Sequence, residues 1–480
     1  KNMAVSIDQK PLYTTLPIGQ QIIFAVSEPT IVATKYKVKF IAEVHVSNFP
    51  INPSNNDALI GTFKTTPNNA GVSIFDFRPV IETFVKPDHE PQTALVTSSD
   101  SEYKGTAAQV QMFPLHLVDK FAISKNSIKY FAITFKVEYA ESASGAIIPP
   151  SDPSNNNATD SDKYTMFNGV LQYDDKLNLF DNDYGYDLSH YYLNGTSRSF
   201  LTTSPTTQYA RLEDYGTLPF LNLPGVNQTT PFYAITLNYY DSEGGNLGGE
   251  AVQWNAANGG STSLGPLSNT RLNYFGAFPA NLQGDGTTMF AGLVAAGTIQ
   301  GGYYTVKAVG SGVGQIWSQT YTINMLCSET KGYEAIRLTW LNKWGTWDYY
   351  TFNMKSTRSV TTNRTSYTQL GGTWNESSFK IAGYKGGKKN FRVNSTEKIT
   401  LNTDFVTEDE GTWFEQLVNS TEVYVLDGYQ TDSNFASLNT YVQPATITNS
   451  SYTRKTIAND RLMQYTIEIE KSKMKRTQAV

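Results

Sequence analysis

Four histidines, one cysteine and one dense run of aspartates are the residues of this chain best suited to chemistry. His45, His89, His116 and His190 lie far apart and make no HxH or HExxH spacing, so no two imidazoles are set on one face for a zinc ion. Each reads as a surface or interface residue. Cys327 closes an apolar run after Met325 and Leu326, where a buried small hydrophobe fits better than a nucleophile. Asp181, Asp183 and Asp187 set oxygen ligands at alternating positions, as in the first half of a calcium loop. Tyr192 stands where the closing glutamate belongs, so a polar turn is the simpler reading. A carboxylate pair for cutting glycosidic bonds is defined by its separation in space, and spacing along the chain selects none. No GxSxG, Walker or GxGxxG element stands between a strand and a helix, and Gly244-Gly245 and Gly301-Gly302 read as hairpin turns. The expectation is a protein that is not an enzyme and holds no cofactor or metal.

The strongest local feature is aromatic: Trp340, Trp344, Trp347, Tyr349, Tyr350 and Phe352. Alternation along a strand puts Trp347 and Tyr349 on one face and Tyr350 and Phe352 on the other. One face should be core. The other should meet a neighbouring protein or stack on sugar rings, and protein contact is the preferred reading. The chain closes on Lys471, Lys473, Lys475 and Arg476, which read as an arm reaching an acidic neighbour or as a solvated end. Trp340, Trp344, Trp347, Tyr349, Tyr350 and these four cations are therefore the candidate interface.

The elements that must position these residues follow a period of two. Tyr36, Val38 and Phe40 alternate with lysines, and Phe131, Ile133, Phe135, Val137 and Tyr139 alternate with Thr134, Lys136 and Glu138. Both stretches predict half-buried antiparallel strands. Glu334–Trp340 and Trp347–Asn353 predict a hairpin. Helix signals are few: Asp76 before Arg78-Pro79, a turn near Pro114, and the capping box Thr407–Glu410 before Trp413, Phe414 and Leu417. Met289 to Ile299, broken by glycines, reads as sheet or loop. The fold class expected is mainly β, with several antiparallel β-sandwich domains and a few short helices. Residues 1–224 form an N-terminal β-rich domain with a flexible Ser/Asn/Pro-rich insertion at 141–162. Residues 225–328 hold about seven short strands at the spacing of an immunoglobulin-like sandwich. Residues 329–480 form a C-terminal β-rich domain with one helix and a basic tail.

Composition narrows the class. The 480 residues carry 38 basic and 43 acidic side chains, a net charge of −5, so no broad positive field is present to hold nucleic acid. Charged residues make up 17 %, below the ordinary share of about 25 %. Aromatics reach 13 %, more than the cores of three modest domains are expected to absorb, which favours surfaces covered by other chains. One cysteine makes no internal disulfide, and no apolar run is long enough to span a membrane. The Asn-x-Ser/Thr sequons are about as frequent as this composition yields by chance. With no apolar signal core in the first residues, they do not argue for a secreted glycoprotein or adhesin.

Four segments carry a resemblance. IRLTWLNKWGTWDYYTF (Ile336–Phe352) resembles a segment recurring in tail and other virion proteins of bacteriophages, especially those infecting Bacteroidetes and marine bacteria. FDFRPVIETFV (Phe75–Val85), Arg198–Leu221 and Arg461–Gln478 are similar to the N-terminal, middle and C-terminal elements of the same proteins, in the same order. The 141–162 insertion departs from that pattern, and no catalytic motif is carried over. The resemblance implies a structural subunit of the virion, tail or neck associated and assembled in the host cytoplasm. Its partners would be other virion proteins and copies of itself in a symmetric ring or shell. A receptor- or carbohydrate-binding protein of the tail, meeting a host surface glycan through Trp344 and Trp347 or the insertion, is the alternative. A depolymerase using Asp181, Asp183 or Asp187 is the weakest reading.

Overall fold

A computed structural model describes residues 4–48, 59–90, 114–118, 121–124, 126–171, 188–193, 198–221, 232–253, 272–283, 289–310, 318–326, 332–373, 376–426, 441–449, 451–453 and 463–477. The fold is mainly β, built of several antiparallel, sandwich-like sheets with short helices. It divides into two compact units. The first comprises Lys1–Cys327 with Leu341–Asp348 and Tyr429–Asn439; the second comprises Ser328–Trp340, Tyr349–Gly428 and Thr440–Val480.

In the first unit the two alternating stretches become the long antiparallel strands Tyr36–Ser47 and Ile128–Ala140. Their register sets Phe40 opposite Val137, Ala42 opposite Phe135 and Val44 opposite Ile133, so one face is wholly apolar. That face packs on a smaller sheet, Ser6–Gln9, Ile23–Ser27 and Val72–Asp76, with Phe24 lying 5.5 Å from Phe135, ring to ring. Asp76 accepts from the Arg78 amide at 3.1 Å, but it stands one residue before Phe77, the N-cap of the helix Arg78–Ile81, which has no side-chain cap. On the other face Lys136 pairs with Glu43 at 2.7 Å, while the His45 ring is fully buried.

Three expectations change here. The 141–162 segment is bound to the sheet: Ile147–Ile148 and Thr159–Asp160 both pair with Ile128–Ala140. Asn155 is buried and donates to the carbonyls of Val137 and Ile148 at 2.9 and 3.2 Å. One polar side chain satisfying two backbone groups secures a sequence whose composition reads as a mobile loop. Second, 225–328 does not close on itself as an immunoglobulin-like sandwich. Its five-stranded sheet ends on Thr207–Ala210, which runs parallel to Tyr321–Met325, and its three-stranded sheet sets Leu272–Gly276 between Thr217–Leu221 and Phe121–Ile123. Third, Met289–Ala295 is a helix, with Phe290 packed between Tyr239 and Tyr304. Short apolar runs do not distinguish helix from strand by period alone.

The second unit is one seven-stranded sheet. Its order is Trp347–Phe352, Ile336–Leu341, Val423–Leu426, Val442–Ile447, Thr466–Lys471, Gly387–Asn402 and Thr357–Gln369. The helix Glu408–Asn419 covers it, opened by the complete capping box of Thr407 and Glu410. Trp413, Phe414 and Leu417 bury against Trp340, Phe352, Ile399 and Ile467.

Candidate interaction surface

The aromatic cluster is core on both faces. Trp340 has no exposed surface and lies 4.8 Å from the Trp413 ring in the second unit. There Tyr350, half-buried, sets its edge on Phe414 at 4.8 Å, and Tyr349 is buried beneath the Arg337 guanidinium at 5.4 Å. In the first unit Trp344 and Trp347 are also fully buried. Their turn is fixed by Asn342, whose Oδ1 accepts from the amides of Trp344 and Thr346 at 3.0 and 3.2 Å. Gly345 sits at φ +73°, where a Cβ would stand 1.6 Å from the Asn168 carbonyl oxygen, so no other residue fits. Trp347 Nε1 donates to the Asp88 carbonyl at 2.7 Å, and the His116 ring meets its face edge-on at 4.9 Å. The Asp88 carboxylate accepts from Ser124, Ser127 and Tyr274 in the same buried network. Neither Trp344 nor Trp347 presents a ring to a sugar or to a partner, and the interface expected at Trp340 and Tyr349 gives way for the same reason.

The basic end is pinned. Lys475 exchanges both backbone hydrogen bonds with Ser395, at 3.1 and 2.9 Å, and its Nζ meets Glu397 at 2.6 Å. Arg476 donates to Asn394 at 2.6 Å, Lys471 is largely buried, and Lys473 alone of the four is exposed without such a tie. The expected flexible arm is therefore a strap along the sheet. Glu397 also receives Arg358 at 2.6 Å. Lys475 and Arg358 together hold its carboxyl well below the usual range, at about 2.

The exposed feature is the hairpin that this strap roots, Thr357–Gln369 and Gly387–Asn402. Its pairing runs from Thr357 opposite Thr400 out to Gln369 opposite Gly387. The neighbouring strand Thr466–Lys471 stops at Lys398, and the strap bridge ends at Ser395. Beyond Ser395 neither edge of the hairpin has a strand partner among the described residues. At ~3.3 Å per residue, the paired strands run about 35 Å beyond Lys398. Ile399 and Leu401 are core at its base, and the same face continues outward as Val393 with Val360. At the tip Leu370, Phe379, Ile381 and Tyr384 are 74 %, 68 %, 90 % and 80 % exposed. Eight of the large apolar side chains exposed among the described residues lie between Val360 and Val393. Isolated exposed apolar residues are ordinary, whereas these eight fall together on one open-edged hairpin.

Sequence reasoning missed this arm. Its strands are rich in Thr, Ser, Asn and Arg on both faces, so alternation gives them no sidedness. The turn cluster Lys385-Gly386-Gly387-Lys388 between two such stretches was the available signal.

Among the described residues no group of His, Cys, Asp and Glu sits in metal-binding geometry, and no helix is long and apolar enough to cross a membrane. Cys327 and Asp181–Asp187 lie outside the described residues.

No protein-family model matches the chain, and no curated protein matches it. Among solved structures, one titled "Crystal Structure of Rst D1-D2" aligns over 67 % of this chain and 100 % of its own, at 9 % identity and a TM-score of 0.18. So low a score describes no shared fold.

Proposed function

We propose that this chain is a structural subunit of a bacteriophage virion, tail or neck associated, that assembles through protein–protein contacts. The observation that carries the reading is the arm, a long hairpin with edges unpaired among the described strands and a tip of exposed apolar side chains. Backbone groups on open strand edges and exposed tip side chains favour pairing with another polypeptide. The segments resembling virion proteins, Ile336–Phe352 above all, supply the context: assembly in the host cytoplasm, partners among other virion proteins, and a ring or shell of copies. In this reading the chain catalyses nothing. Mass spectrometry of purified particles tests it, with the chain expected in a fixed, symmetric copy number. Its absence from particles would remove the reading.

The tip also favours a second function. Phe379 and Tyr384 are exposed aromatic side chains of the type that stack on sugars, so a host surface glycan is the alternative ligand. Glycan-array binding lost in Phe379→Ala and Tyr384→Ala would support it.

A further inference from the structure

The arm and one other stretch of the same unit carry opposite charge. Residues 359–396 hold six Lys and Arg against one Glu, a net +5. Since the whole chain is −5, everything outside the arm sums to −10. Much of that lies in residues 399–453, which contain eight Asp and Glu and no Lys, Arg or His. This stretch includes the helix start, where Glu408 and Asp409 are exposed beside Phe405, itself 58 % exposed. Among the described residues Arg364, Lys388, Lys389 and Arg392 form no ion pair, and neither do Glu408 and Asp409.

We infer that the arm docks on a second copy of this chain, its basic flanks and apolar tip meeting the acidic Asp404–Glu410 surface around Phe405. Each side offers what the other lacks: unpaired cations with exposed apolar groups on one, unpaired carboxylates with an exposed ring on the other. Opposed fields of this kind steer association and fix register, and they weaken with salt. Because arm and acidic surface are different patches, the contact is head-to-tail, and copies joined this way close into a ring or extend as a filament. The inference rests on the proposed role as an assembly subunit and names the partner of its arm.

Sedimentation velocity on the full chain tests it. Wild type should self-associate at low salt and dissociate as salt rises. Lys388→Glu with Lys389→Glu and Arg392→Glu should weaken association by about tenfold or more, and so should Glu408→Lys with Asp409→Lys, which leaves the capping box intact. Circular dichroism should show both variants folded. Mixing the two should restore association between unlike copies, which a merely damaged fold would not do. A wild type that stays monomeric at low salt, or folded variants that associate as wild type does, would overturn the inference. So would arm-dependent retention of a DNA duplex with self-association unaffected. Particle mass spectrometry reads the assembly role separately, so the chain can be present in particles while this contact fails.

Discussion

The second unit holds two sets of aromatic side chains that do opposite work. Trp340, Trp413 and Phe414 lie within 4.8 to 6.4 Å of one another between the helix and the sheet, sealed from solvent. Tyr367, Phe379, Tyr384 and Phe391 stand on the arm with much of their surface open. Residue type is the same, and what differs is topology. The strands under the helix have a covered face, while the arm continues the sheet past that cover. An aromatic surplus therefore divides into a part that holds the fold and a part that the fold does not need. The core tryptophans, which look like the interface in the sequence, belong to the first part.

Trp340→Ala should break the core side hardest. Removing a fully buried indole from a packed aromatic group costs ~3–5 kcal/mol, read as a lower denaturation midpoint in urea. Next comes the root of the arm. The Glu397 carboxyl lies near 2 when folded against an ordinary 4.5, because Lys475 and Arg358 favour its charged form. Its contribution is whole above pH 4.5 and is lost as pH falls toward 2. Glu397→Gln should remove that part of the acid sensitivity, measured as stability against pH. A separate acid response comes from His45, whose pKa is lowered by burial. The unfolded chain binds this proton first, so stability falls as pH drops below 6.5, and His45→Gln should flatten that region. Thr407→Ala removes the capping box and should cost ~1 kcal/mol. Smallest of all, Ile381→Ser with Tyr384→Ser should leave stability within about 0.5 kcal/mol, because both side chains are already solvated.

How far the sequence could be read follows the same division. Strands 36–47 and 128–140 were legible because each has one buried face, and the helix at 408–419 because its cap and apolar spacing are local. The recruitment of Phe121–Ile123 and Thr217–Leu221 into one sheet with Leu272–Gly276 was not legible, since no local pattern records a partner so far along the chain. The pinning of 141–162 by Asn155 is one side chain in a polar run and looks like its neighbours. The arm was hidden because both of its faces are polar. At Trp344 and Trp347 the sequence showed an aromatic cluster but not that a first-unit network around Asp88 and Asn342 encloses both rings.

The central claim is that the arm serves assembly and not folding. Gln369 and Gly387 face each other across the hairpin, so a two-residue Asn-Gly turn can replace residues 370–386 without disturbing the strands below. Sedimentation velocity of that shortened chain beside wild type, with urea unfolding of both, is the direct test. The account predicts an unchanged unfolding midpoint and a loss of self-association. Self-association equal to wild type, or a midpoint as low as that of Trp340→Ala, would contradict it.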